Sequence, residues 1–244
     1  MKCIRVLLVV AAMLFGAMSA HAQPVSGQGT WESTLQARDI GNTGTTNAFY
    51  DTSLNITWLA NANVNGQMDW NTAGSWANNL TVGGIGGWRL PTIADPNADN
   101  YASYSGGSAG WNVNPASSEM AHLFFSTLGD KSYYDTNGAP QAGAGLSNTA
   151  NFQNMQSAYW LGTEFAYNSI AAWDFKPIYG LQIAEAKSGL LYAMAVHSGD
   201  VGAVVSAVPE PEAYAMLLAG LGLVGAVVRR RRSIDTSGVT PCQL

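Results

Sequence analysis

The side chains able to do chemistry in this chain are few and widely spaced. Histidines occur at 21, 122 and 197 and cysteines at 3 and 242, so a metal site would need carboxylates brought in by the fold. Asp95, Asn97 and Asp99 alternate like the first ligands of a calcium loop. The pattern then breaks, because Asn100 stands where that loop needs glycine and Gly106 where it needs a bidentate glutamate. Segments of this composition commonly close as plain turns; the reading in which Asp95, Asn97 and Asp99 hold calcium stays open beside that one. Arg89 is the only cation in the apolar block Trp88-Arg89-Leu90-Pro91-Thr92. It either clamps a ligand carboxylate or pairs with a neighbour such as Glu119, and a buried guanidinium's need for a partner favours the pair. His122 falls on a helix pattern and His197 near a strand end; both read as solvated or core-edge histidines rather than general bases. No Ser-His-Asp order, phosphate loop or paired-carboxylate signature stands out, so neither catalytic residues nor a cofactor are expected.

The elements that must position these residues follow from hydrophobic period. Trp31, Ser33 and Leu35 alternate with polar neighbours and predict a first strand, followed by a loop over 39–47. Phe49-Tyr50-Asp51 and Ile56-Thr57-Trp58-Leu59 predict a hairpin. Trp70, Ala73, Trp76, Ala77 and Leu80 lie three and four apart, one stripe of an amphipathic helix that Asp69 or Asn71 would cap. A glycine-rich turn at 83–87 then leads to Trp88–Thr92, a short buried strand stopped by Pro91. Asn114-Pro115 opens a second helix with Met120, Leu123, Phe124, Thr127 and Leu128 on one face and Gly129 as its stop. Long loops are expected over 93–113 and 131–151. Runs at 158–165, 171–175, 181–184 and 190–197 predict an antiparallel meander, with 200–207 as a link. Strands, two helices and strands again make an α+β domain. Tryptophans at these periodic positions read as core, although their faces could also stack on sugars.

The ends of the chain have a different composition. Lys2 and Arg5 precede the apolar run 6–17, and Ala20-His21-Ala22 offers small residues to a signal peptidase, with Gln23 as the new N-terminus. Residues 1–22 therefore read as a secretory leader and 23–207 as one exported domain, its core about 31–201. Cys3 and Cys242 fall outside that domain, which leaves it without disulfides or thiolate sites. Five basic against thirteen acidic side chains give it a net charge of −8. Nucleic acid is thus no expected partner and sulfated polysaccharides should be repelled, while neutral glycans are compatible. At the far end stands Val208-Pro209-Glu210-Pro211-Glu212, held extended by its prolines. Residues 213–228 carry no charge and would span about 24 Å as a helix, just short of the ~30 Å hydrocarbon core. Arg229, Arg230, Arg231 and Arg232 would stop the segment and stay cytoplasmic, leaving 233–244 as a cytoplasmic tail. A plain membrane tether would explain the apolar span but not the Pro-Glu-Pro.

The order Pro209-Glu210-Pro211, the glycine-rich 218–223 and the arginine cluster resembles the PEP-CTERM sorting signal of Gram-negative bacteria. The resemblance implies an exosortase, an integral-membrane cysteine protease-like enzyme, as partner, with Pro209, Glu210 and Pro211 as its recognition residues. It also implies transient passage through the inner membrane and a final place at the cell surface or in an exopolysaccharide matrix. Such signals usually stop soon after the arginines, whereas this chain continues to Leu244. The exported domain has a resemblance of its own. Trp58-Leu59, the Trp70/Trp76 helix, Trp88-Arg89-Leu90-Pro91-Thr92, Ser118-Glu119-Met120 and Tyr159-Trp160-Leu161-Gly162-Thr163-Glu164 look like the family named for the C-terminal domain of the Legionella collagen-like adhesin. That family is grouped with C-type lectin-like folds. Asp95-Pro96-Asn97 resembles their Glu-Pro-Asn sugar tripeptide, and Trp111-Asn112 is a partial Trp-Asn-Asp that Val113 breaks off. The implied function is a non-catalytic surface or matrix domain able to bind glycans. The alternatives are an exported enzyme similar to the sulfatase-modifying branch of the same fold group, which relies on cysteines this domain lacks, and a plain tethered ectodomain.

Overall fold

A computed structural model of the protein describes residues 23–204. The leader, the Pro-Glu-Pro segment, the apolar stretch 213–228 and the arginines lie outside the described residues. Among those described, no helix is long and apolar enough to cross a membrane.

Two antiparallel sheets and a few short helices make the fold, the α+β organisation that the periodicities predict. The first sheet starts with β1 (Leu35–Asp39), β2 (Ala48–Asp51) and β3 (Ile56–Leu59). Register places Phe49 opposite Trp58 and Asp51 opposite Ile56, and Asn55 closes the hairpin at φ 53°, a left-handed position asparagine tolerates. The helix α2 (Trp70–Asn79) runs as its stripe predicts: Asp69 caps it by accepting the Thr72 N–H at 3.1 Å, and Ala73 and Ala77 are buried. It leads to β4 (Trp88–Arg89), and the chain then crosses to β5 (Gly110–Trp111).

The second predicted helix is present but broken into three. Asn114 caps a 3₁₀ turn at Pro115–Ser117; Ser118 caps α3 (Glu119–Ala121) by accepting the Ala121 N–H at 2.9 Å; and a π turn over His122–Thr127 ends where the Leu128 N–H reaches the Leu123 carbonyl at 2.8 Å. The wide turn lets Leu123 and Phe124 both enter the core. Gly129 stops it at φ 69° against the chain at Gly29, where a Cβ would lie 2.5 Å from the Gly29 nitrogen.

The strands β6 (Tyr159–Glu164), β7 (Ala171–Lys176) and β8 (Leu181–Ala186) form a meander that β5 completes, in the order β5-β8-β7-β6. The run after them was expected to continue that meander and does not. Tyr192 makes a parallel bridge to Tyr159. The chain then enters the first sheet as β9 (Val196–Ser198), lying between β3 and β4. Residues 193–196 are buried, as suits a segment with protein on every side. Two further expectations are corrected. Trp31–Thr34 is one helical turn, α1, because the N–H groups and hydroxyls of Ser33 and Thr34 fold back on the Thr30 carbonyl. The predicted link after residue 200 is partly structural: Asp200 grips the Arg38 guanidinium at 2.6 and 2.8 Å, and β10 (Ala203–Val204) pairs with β1. The compact unit that carries both sheets ends at Val204.

The main core joins the sheets, with Phe49, Trp58 and Val196 from one, Tyr159, Trp173 and Phe175 from the other, and Met120, Leu123 and Phe124 from the broken helix. Each such large side chain stabilises the fold by roughly 1.5–3 kcal/mol on burial. No disulfide is needed to hold it.

Candidate functional site

The Trp-Arg-Leu-Pro-Thr block is a joint between elements. Trp88 is buried and donates its indole N–H to the Ile85 carbonyl at 2.9 Å, and its ring meets His197 edge-on at 5.7 Å. Arg89 forms the expected pair with Glu119, both terminal guanidinium nitrogens donating to carboxylate oxygens at 2.7 Å. The Glu119 hydrogen bond, opposed by burial, raises the guanidinium pKa. Glu119 also accepts the Thr92 N–H at 2.8 Å and donates its own N–H to the Thr92 carbonyl at 3.1 Å. The Pro91 carbonyl takes the Gly162 N–H at 2.7 Å, and Leu90 packs with Trp160, whose indole N–H binds the Met68 carbonyl at 2.9 Å. The fork that could clamp a ligand carboxylate is thus occupied from inside the protein.

Asp95 and Asp99 each accept the backbone N–H two residues on, from Asn97 at 2.9 Å and Tyr101 at 3.1 Å, while the Asn97 carbonyl takes the Tyr167 hydroxyl. These are Asx turns. Among the described residues, no three His, Cys, Asp or Glu side chains gather where they could hold a metal ion.

One cluster was not legible in the sequence. Ser53 and Asp51 at the β2–β3 turn meet His122 of the broken helix, the Ser53 hydroxyl donating to Asp51 while lying 2.9 Å from His122 Nε2. A hydrolytic triad needs the carboxylate on the far side of the histidine. Here the Ser53 hydroxyl donates to Asp51, and Asp51 contacts the serine instead of standing behind the imidazole, so the three groups lack the triad's order. Asp51 also accepts the Ser53 N–H at 3.0 Å, which makes the cluster a turn brace. A second polar group, Asp174 on β7, is fully buried. Lys176 lies 3.2 Å from its Oδ1 but off the hydrogen-bonding direction, so neither carboxylate oxygen receives an aligned bond. Burial pushes its pKa up to about 7 despite that ammonium.

A recess free of ionisable side chains lies elsewhere. A groove of about 710 Å³ is bordered by Gln153, Asn154, Gln156, Ser157, Met155 and Ile178, and no ionisable side chain lines it. Beside it a chain of rings crosses the surface. Tyr104 stacks on Trp111 at 4.9 Å, Tyr134 stands edge-on to both at 5.2 Å, and Tyr133 touches Tyr134 at 4.8 Å and Tyr179 at 6.4 Å. Tyr133 and Tyr179 are 42% and 46% exposed and Ile178 is 48% exposed, so apolar area that could be buried is left in water. The loops predicted over 93–113 and 131–151 bring these residues together, through Asn112, whose side chain donates to the Tyr104 and Tyr134 carbonyls at 2.8 Å, and through the Tyr133 N–H to the Tyr179 carbonyl at 2.9 Å. The only hint in the sequence was a pair of adjacent tyrosines inside a loop otherwise without aromatic residues.

Comparison with known proteins bears on the far end of the chain. Residues 207–232 match the family model described as the PEP-CTERM protein-sorting motif. The chain carries a PEP-CTERM signal. That signal makes it an exosortase target, exported through the membrane toward the cell surface. Pro209, Glu210, Pro211 and Arg229–Arg232 fall inside the match, and all lie outside the described residues, as do Ala20 and Ala22 at the leader's end. No curated protein and no solved structure matches the chain.

Proposed function

We propose that this PEP-CTERM protein is a non-catalytic component of the cell envelope whose exported domain holds neutral glycans at the surface or in an extracellular matrix. The sorting motif at 207–232 carries the reading, because it supplies the destination against which the domain's chemistry is judged. The domain suits that destination: it is acidic, it lacks cysteine, and the Ser53, Asp51 and His122 cluster among the described residues does not follow the order of a hydrolytic triad. The C-type lectin-like resemblance is part of the same proposal, supported by two looped antiparallel sheets with short helices between them. The sulfatase-modifying alternative gains no support from a domain without thiols.

On this reading Pro209, Glu210 and Pro211 are read by exosortase, 213–228 spans the inner membrane only until processing, and Arg229–Arg232 hold the tail on the cytoplasmic side. Replacing Glu210 with Ala and Pro211 with Gly should leave the protein in the inner-membrane fraction instead of at the surface. Wild-type distribution of that variant would remove the recognition role assigned to the tripeptide.

A further inference from the structure

We propose that the amide-lined groove and the tyrosines beside it form one binding surface for a neutral polysaccharide, engaged without a metal ion. The proposal rests on the glycan reading above and assigns it a site. Its two halves meet at a turn, where Ile178 borders the groove and Tyr179 joins the rings. Both halves carry unused hydrogen-bonding capacity. The hydroxyls of Tyr133, Tyr134 and Tyr179 make no hydrogen bond within the described residues, and the exposed side chain of Gln153 likewise has no partner there. A primary amide offers paired donors and an acceptor, and a phenol offers a polar tip on a flat apolar face. Together they match a pyranose, which has an apolar C–H face and a rim of hydroxyls.

Charge argues for a neutral ligand. Between 130 and 157 the cation is Lys131 and the anions are Asp130 and Asp135. Asp130 is buried, and Asp135 spends its carboxylate on the Ala139 and Asn137 N–H groups at 2.9 and 2.8 Å, which hold its pKa below the usual carboxylate range. No arginine or lysine cluster awaits sulfate or phosphate, and the domain's net charge of −8 would repel a polyanion. A wholly apolar partner would leave the Gln153 amide unpaired, whereas Asn154 and Gln156 already donate to the Asn61 side chain and the Asn154 carbonyl at 3.1 and 2.8 Å.

The test uses the full chain in detergent with three probes: a soluble β-glucan, a dextran and a dextran sulfate. Wild type should bind at least one neutral polymer, ignore dextran sulfate, and be unaffected by EDTA. A Tyr133→Ala, Tyr179→Ala double variant and a Gln153→Ala variant should each weaken binding about tenfold or more with unchanged circular dichroism, since none of the three side chains belongs to the buried core. Tyr133→Phe should cost only a few-fold. Neutral-polymer binding that survives every substitution overturns this site and leaves the glycan reading standing. No binding by wild type to any probe, or a preference for dextran sulfate, overturns both. Self-association of wild type that the double variant abolishes also overturns the proposal, making the rings an interface between copies.

Discussion

The Arg89–Glu119 pair shows what a single residue carries here. Glu119 serves the guanidinium and a backbone N–H of Thr92 at once, with side-chain exposures of 32% for the arginine and 17% for the glutamate. Solvent at the arginine end discounts the ion pair, but the Thr92 N–H would lose its acceptor. Glu119→Ala should therefore destabilise the protein by about 2 kcal/mol, read from urea unfolding. This pair was legible because a lone cation in an apolar block demands a partner; Asp174 was not, because β7 reads as an uninterrupted buried strand around it. Its folded-state pKa of about 7 lies above the unfolded value near 3.9. The native state then binds more protons between those limits, and stability falls as pH rises from about 4 to about 7. Asp130, pushed up to about 6 mainly by burial, acts in the same direction. Asp174→Asn should flatten most of that decline, by on the order of 3 kcal/mol across the window. An unchanged pH profile in the variant would contradict the burial of that carboxylate.

Elements were legible where period and capping agreed. Asp69 followed by the 70–80 stripe left little freedom, and Asp69→Ala should cost about 1 kcal/mol by releasing the Thr72 N–H. The broken helix was legible as one element but not as three, since a π turn depends on what its residues must reach. β9 escaped the sequence for a related reason: an apolar run states that it is buried, not in which sheet. Close backbone approaches were equally hidden. At Gly129, φ is 69° and a Cβ would sit 2.5 Å from the Gly29 nitrogen, whereas at Gly66, φ is 73° and nothing lies within 4 Å. Gly66→Ala should lose about 1 kcal/mol, the left-handed cost alone. Gly129→Ala should lose several times more, because backbone must also move. Equal melting temperatures for the two variants would deny the contact between the end of the π turn and the N-terminal segment.

At the scale of the whole molecule, destination and domain were legible to different degrees. The sorting tail is a linear signal, in which order and residue type are the information, and its match needs no fold. The groove and its rings come from loops far apart in sequence, so nothing short of the tertiary structure could assemble them. On the proposed reading, an acidic domain with an uncharged recess is compatible with neutral sugars, and its use depends on the tail delivering it. The most direct measurement of that claim is the intact mass of the protein isolated from cells with and without exosortase. The account predicts a shortened C-terminus only where the enzyme is present. The same full-length C-terminus in both would contradict it.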